Sequence, residues 1–489
     1  MSTHDTDHFT LWNLGPQRLL VDFQGGQLVA DAGLLAVRAL ERPLRVLADL
    51  APRLPDPRSP KFVHHSVEAL LTQQVYALLA GYPDSNDADE LRDDALFQIL
   101  ADLSPDAEQP LASGSTLARF QYAYTRRQAD VPLEERAVLL EVRAAQLQRL
   151  RVVNQYLVEL FIRTRMSPPT ELILDVDATD DPVHGGQALS GYHGYYRQHQ
   201  YLPLHVYEGH SGFPLAVWLR PGVVHASCGA VDILRPLVTQ LRAAWPGVRI
   251  LLRADNGLGV PAVYDFCESE RLEYVIGYAS NAVLERATAQ ALADVELYYH
   301  FYGHRDPHVQ RFEEVRNYQA GGWPHARRVV AKVEINPQGS QRRYVVTNRT
   351  EAAAVVYREL YVQRGAVPEQ PIGEMKNGLR CERLSSSGFC ANAFRLLVHA
   401  LAYAIVVLFR EAAADVPEVA TASVATLRQR LWKVAAVVVT SPRRLFVHLS
   451  SVWPYREVWQ RVQGAVTRYL ARQGCRGAAP PLPAGASER

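Results

Sequence analysis

The sequence predicts an α/β protein flanked by helical segments, and three observations predict it. Over the first 165 or so residues, apolar side chains recur at mixed spacings of three and four, the period of amphipathic helices. From Glu171 the pattern changes to short apolar runs bounded by turns, the signature of strands. From about Ala352 helical spacing resumes and continues to about Tyr469. At 489 residues the chain is too long for one ordinary core, so several domains are expected. Hydrophobic residues make up 48% and charged residues 21%, the balance of a soluble globular protein.

Taken in order, Asp31 to Leu50 and Val63 to Leu79 carry helical spacing, separated by a loop holding Pro55, Pro57 and Pro60. Ser113 to Thr116 can cap a following helix that presents Arg119. Leu133 to Thr164 reads as one long helix, ended by Ser167-Pro168-Pro169. Leu172, Ile173, Leu174 and Val176 then form a compact strand ending at Asp177. Tyr201 to Tyr207 and Phe213 to Leu219 continue a meander, followed by a helix from about Gly229 to Ala244. Val248 to Leu252 is a buried strand delivering Asp255, and a helix (Pro261 to Glu270) and strand (Tyr274 to Gly277) follow. Three meandering strands, helix, strand, helix, strand is the order of a ribonuclease-H-like core. Acids at the ends of neighbouring strands are gathered at one sheet edge.

Between Asp294 and Asn348 the chain reads as a β-rich insertion, with a turn at Asn336 to Ser340. The expected division is 1–168 (helical, end-binding or dimer module), 169–293 (first part of the core) and 294–350 (insertion). It continues with 351–385 (returning core helix), 386–474 (basic helical domain) and 475–489 (disordered tail).

The chemistry concentrates in YVQRGAVPEQPIGEMKNG, which sets Glu369 among Tyr361, Arg364 and Lys376. Glu369 and Lys376 are seven residues apart, about two helical turns, so an α-helix would put them on one face. A carboxylate flanked by cations suits a site that holds a metal and a phosphate together. With Asp177 in LILDVDATDDPVHG and Asp255 in ILLRADNG, three carboxylates become candidate ligands. Asp175, Asp180 and Asp181 compete with Asp177, and Glu374 competes with Glu369. Asp255 could instead cap the helix after it.

Asp177, Asp255 and Glu369, with the Tyr-Arg-Glu-Lys pattern around the last, resemble the DDE transposases of bacterial insertion sequences. The similarity is to the cut-and-paste branch with a β-rich insertion before the glutamate, and it runs from roughly Pro16 to Val462. It includes DAGLLAVRAL, GYPDSNDADELRDD, SGSTLARF, DVDATDDPVHGGQ and LLVHALAYAIVVLFR. Four residues separate Arg364 from Glu369 where the family pattern has three, and Pro371 and Gly373 weaken the helix expected there.

The resemblance implies that Asp177, Asp255 and Glu369 bind two Mg²⁺ ions (Mn²⁺ can substitute), roughly 3.5–4 Å apart, which activate the nucleophile and stabilise the leaving oxygen. It implies that Tyr361, Arg364 and Lys376 hold phosphates beside the cut. An aromatic of the insertion, for which Trp323 in GGWPHARR is the candidate, would stack on a displaced base. The implied activity is cleavage at terminal inverted repeats through a hairpin at the transposon end, then joining of 3′-hydroxyls to target DNA by a homodimer. A decayed, DNA-binding relative and a nuclease without strand transfer remain open alternatives.

Net charge is +1, but Thr421 to Arg476 holds ten Lys or Arg against the single acid Glu457. That stretch, with Arg443 and Arg444 at its centre, is a candidate phosphate-backbone surface. Five cysteines without C-x-x-C spacing argue against structural zinc or a disulfide framework. No Walker-type loop occurs, so no nucleotide cofactor is expected. The N-terminus lacks a secretory pattern, and the apolar run Leu396 to Phe409 is short for a membrane span, so a cytoplasmic protein associated with chromosomal DNA is expected.

Overall fold

A computed structural model describes residues 9–106, 109–122, 136–363 and 369–474. The tail from 475 lies outside the described residues, as does Arg364. The chain divides into two compact units. One comprises residues 1–47, 63–118 and 409–489, and the other 48–62 with 119–408. Parts of the expected segments 1–168 and 386–474 thus fall in the same compact unit.

The first unit departs from the all-helical expectation at both ends. Its N-terminal segment forms β1 (Phe9–Leu14), β2 (Gln17–Val21) and β3 (Gln27–Val29), before the helices Leu35–Leu44 and Val67–Ala80. Ser66 caps the second of these through the amide of Ala69, and Gly81, at φ +98°, ends it in the left-handed conformation that glycine adopts without strain.

The second unit is built on an eight-stranded mixed sheet. Its strands are β4 (Glu171–Ala178), β8 (Leu204–Glu208), β9 (Pro214–Trp218), β10 (Arg249–Ala254), β11 (Glu273–Tyr278), β12 (Val309–Tyr318), β13 (Arg327–Asn336) and β14 (Gly339–Thr347). Three short strands stand apart as a second sheet: β5 (Asp181–Pro182), β6 (Gly191–His193) and β7 (Gln198–Tyr201). The main sheet runs β12-β13-β14-β11-β10-β4-β8-β9. Strands β4, β10 and β11 are parallel, and β8 is antiparallel to β4 and β9. This is the ribonuclease-H-like arrangement that the order of elements predicts.

The insertion is not a separate layer. Strand β14 pairs antiparallel with β11, Val275 opposite Thr347, so β12–β14 extend the core sheet. The segment expected to be wholly β-rich also holds most of a helix, Ala289–Tyr302, whose Ala291 and Val295 pack on Val333. The helix Phe389–Ala412 is longer than its most apolar run and apolar enough to span a membrane by composition, yet that window is entirely buried within the protein.

The chain beyond Pro417 is not continuously helical. Strands β15 (Ala436–Ser441) and β16 (Arg444–Leu449) form a hairpin, and β15 also pairs with β3, Ala436 opposite Val29. The β-branched run Val437–Val439 explains the strand locally, and the helix Arg456–Arg472 closes the unit.

Candidate active site

Strands β4 and β10 lie side by side, with Leu174 opposite Leu252 and Val176 opposite Ala254. Side chains alternate along a strand, so Ile173, Asp175 and Asp177 share one face of β4, and Leu251 and Arg253 share the same face of β10. That face becomes more polar towards the C-terminal edge. At its base Ile173 and Leu251 join Val275, Val330, Val345, Val356 and Tyr357 in a buried cluster. One step on, Arg253 donates two hydrogen bonds of 2.6 Å to Asp175, both residues being buried. At the edge stand Asp177, the next residue after Val176, and Asp255, the next after Ala254, both partly exposed.

Asp175 is thereby removed from competition with Asp177, because its two oxygens are committed to Arg253. Asp255 does cap a short helical turn, accepting from the amide of Gly257 at 3.0 Å. One oxygen makes that bond and the carboxylate retains further lone pairs, so capping and ligation are compatible.

The segment Val356–Tyr361 crosses this face as a wide π-helical turn. The carbonyl of Leu360 accepts a 3.1 Å hydrogen bond from Arg253. Tyr361 packs its ring 5.3 Å from Tyr357 and brings its hydroxyl to Gly277 of β11. A Cβ at Gly277 would lie 2.6 Å from the Tyr361 hydroxyl and 2.8 Å from the amide of Asn256. Only glycine lets the tyrosine and the Asp255 turn approach together. Gly277→Ala is expected to displace both, at a cost of about 1–3 kcal/mol from overpacking, read by urea unfolding.

Glu369 opens the helix Glu369–Gly373; its side chain lies outside the described residues. At Gly373 the helix passes into a second π-helical turn, Glu374–Gly378. The spacing of seven therefore does not translate into one α-helical face, since π turns hold more residues. Glu374, the rival acid, is buried at the start of that turn.

Lys376 reaches the acidic strand end, donating to the carbonyl of Asp180 at 2.5 Å and to its carboxylate at 3.0 Å. Gln198 of β7 donates to the other Asp180 oxygen at 2.7 Å. Burial opposes ionisation of Asp180, yet these donors outweigh it and hold the carboxyl below its ordinary range. Asp180 is thus an anchor for Lys376 and for the β6–β7 hairpin. Asp181, on β5, is buried with neither carboxylate oxygen hydrogen-bonded; burial, opposed by Lys376 and reinforced by Glu382 and Asp180, pushes it up to about 8. His205, opposite Asp177 on β8, lies 3.0 Å from the Tyr207 hydroxyl, which donates to Met375 at 3.1 Å.

Burial lowers His205 to about 3, helped by Lys376 and Arg220, and lowers His399 to about 4. Both imidazoles stay neutral in the fold while those of the unfolded chain charge near 6.5. Their contribution to stability is complete above that pH and is lost as pH falls towards 4. Melting temperature should drop over this window, and His399→Gln should flatten the slope.

Trp323, the candidate base-stacking aromatic, is 5% exposed. Its ring packs against Tyr264, Tyr278 and Tyr318 at centroid distances of 5.4, 5.4 and 5.5 Å, with the Arg327 guanidinium 5.1 Å away. It is a core residue of the inserted sheet and offers no free face to a base. Arg443 and Arg444 are exposed at the β15–β16 turn. Several other cations of the basic stretch are paired: Lys433 with Asp31, Arg461 with Glu418 and Arg468 with Asp415.

Among the described residues, no cluster of three or more His, Cys, Asp or Glu is preformed for a metal. Asp177 and Asp255 nonetheless offer hard oxygen donors at the ends of neighbouring parallel strands, the ligand type that hard divalent cations take. The sheet order and this pair of edge carboxylates define a ribonuclease-H-like domain that gathers acids at the C-terminal ends of its parallel strands.

The chain belongs to the family described as transposase DDE domain group 1, which matches residues 13–470. Among solved structures, it is similar to the piggyBac transposase synaptic complex with hairpin DNA, seen by cryo-electron microscopy. That similarity has 11% identity and a TM-score of 0.39, covering 93% of this chain and 83% of that one. No curated protein matches the sequence.

Proposed function

We propose that this chain is a DNA transposase that binds terminal inverted repeats, cleaves the element's ends and joins their 3′-hydroxyls to target DNA. The observation that carries the reading is the placement of Asp177 and Asp255 at the ends of adjacent parallel strands, backed by the buried Asp175–Arg253 pair. Glu369, which opens the returning helical segment, is the third acid that the resemblance of its Tyr-Arg-Glu-Lys pattern implies.

Asp177, Asp255 and Glu369 would hold divalent metal, Mg²⁺ by preference, which when bound supplies an activated nucleophile and charge stabilisation at phosphorus. The residues around them act on the strand. Lys376, fixed by Asp180, brings positive charge to the edge where a phosphate would lie. Tyr361 offers a hydroxyl beside the Asp255 turn, and Arg253 holds both strands in register behind the carboxylates. Excision through a hairpin and a homodimer on paired ends follow from family resemblance.

A labelled duplex carrying the element's own end, taken from the DNA beside the gene, tests the reading. Nicking and a hairpin product in Mg²⁺, abolished by EDTA and by Glu369→Gln, are expected. Specific binding without cleavage in Mg²⁺ or Mn²⁺ would instead make the chain a DNA-binding relative. Cleavage surviving in the variant would transfer the third role to Glu374.

A further inference from the structure

The loop 219–229 joins β9 to the helix Ala230–Ala244. Strand β9 is antiparallel to β8, and β8 is antiparallel to β4, so β9 runs parallel to β4. In register, Asp177 stands opposite His205, and His205 opposite Val217. The chain therefore leaves β9 at the edge where β4 reaches Asp177 and β10 leads into Asp255. From there the loop extends to the Asp255 turn. A Cβ placed on Gly257, whose amide donates to Asp255, would come within 2.8 Å of the Ala226 Cβ.

The course of this loop is fixed from behind. The buried Arg220 guanidinium donates to the carbonyls of Leu202 at 2.8 Å, Ala226 at 2.6 Å and Cys228 at 2.9 Å. The Gly222 amide donates to the Leu189 carbonyl at 3.1 Å, and the Cys228 amide closes a turn on the His225 carbonyl at 2.9 Å. In that turn His225 is exposed, next to Ala226 in the chain. The Ser227 amide donates to its Nδ1 at 3.3 Å, and the Ser227 hydroxyl lies 2.8 Å from the same nitrogen. A backbone amide can only donate, so Nδ1 accepts and the neutral ring carries its proton on Nε2. Among the described residues Nε2 has no hydrogen-bond partner.

His225 is thus a surface histidine whose ring is oriented, with one donor left over beside the acidic edge. No acid occurs from Arg220 to Val231, so an anion approaching the ring meets no opposing charge from its own loop. We infer that His225 contacts the DNA backbone, its Nε2–H donating to a non-bridging oxygen of a phosphate next to the cut, on the Asp255 side. A hydrogen bond to a charged phosphate oxygen is stronger than one between neutral groups, and it fixes the strand's position without reading a base. Lys376 brings its charge from the β4 side, through Asp180; His225 supplies a donor from the β10 side. The inference rests on the DNA-cleaving reading above and adds to it a residue that positions the strand.

The test uses the full chain and end duplexes carrying a single methylphosphonate, an uncharged phosphate analogue, at each position flanking the cut. Single-turnover cleavage is compared for wild type, His225→Ala and His225→Gln. At one position the methylphosphonate should slow wild type about tenfold, as expected for a hydrogen bond to a charged group. His225→Ala should slow cleavage of the unmodified duplex by a similar factor. At that position the two losses should not multiply, because both remove the same bond. His225→Gln, whose side-chain amide can donate from a similar place, should keep most of the rate on unmodified DNA. Losses that multiply at every position, or an unmodified duplex cut equally by wild type and His225→Ala, overturn the contact. Should wild type cut no DNA, the cleaving reading fails by itself, and fluorescence anisotropy of the same duplexes decides. Coupling between His225→Ala and one methylphosphonate then upholds the contact, and its absence overturns it. Because His225 is exposed, His225→Ala should melt with wild type. If it melts lower, Ser227→Ala, which frees the ring, takes its place: coupling to one position upholds the contact, and a uniform loss overturns it.

Discussion

Asp177→Asn and Asp255→Asn are each expected to reduce metal-dependent cleavage of an end duplex by a factor on the order of 10³ or more, while leaving the fold and DNA affinity nearly unchanged. A bound metal contributes several kcal/mol to stabilising charge in a phosphoryl transition state, and each 1.36 kcal/mol is tenfold in rate. Replacing a carboxylate by its amide keeps shape and hydrogen-bonding capacity but removes the anion. Asp255→Asn can still cap the Gly257 amide, so its turn should survive. The informative comparison is with Asp180→Asn. That residue is as acidic and as near in sequence, but its carboxylate holds Lys376 and Gln198. Its loss should lower the rate less, about 10–100-fold as for residues that orient a site from behind, and should not change the metal concentration at half-maximal rate. Single-turnover rates across a Mg²⁺ titration separate the two classes. If Asp180→Asn proves as severe as Asp177→Asn and shifts the metal dependence, Asp180 belongs among the ligands.

The core sheet was legible because its strands are short, apolar and end in acids. Leu172–Val176 and Ile250–Ala254 are buried runs followed at once by Asp177 and Asp255, so pattern and chemistry point the same way. The pairing of β3 with β15 was not legible: some 400 residues separate Val29 from Ala436, and no local window encodes their contact. Charge counted along a segment misled for the same reason, since Lys433 finds its acid at Asp31. Helical periodicity assumed 3.6 residues per turn between Glu369 and Lys376, and the π-helical turn breaks that count.

Arg253 carries the second large effect. Arg253→Met should destabilise the second unit by about 3–5 kcal/mol, because it leaves the Asp175 carboxylate buried without its partner. Asp175→Leu should cost a similar amount by stranding the guanidinium. The double variant Asp175→Leu/Arg253→Met should recover most of the stability, since an apolar pair of similar volume avoids the desolvation that the ions suffer. Recovery of activity should not follow. Arg253 also donates to the Leu360 carbonyl, the last link before Tyr361, and that bond has no replacement in an apolar pair. The double variant is therefore predicted to melt near wild type and yet cleave slowly. Urea unfolding and single-turnover cleavage, measured on the same four proteins, decide between this and a purely structural pair. If stability and activity return together, the ion pair serves the core alone. If stability returns and activity does not, the ion pair's role is to hold the Tyr361 turn over the carboxylate edge.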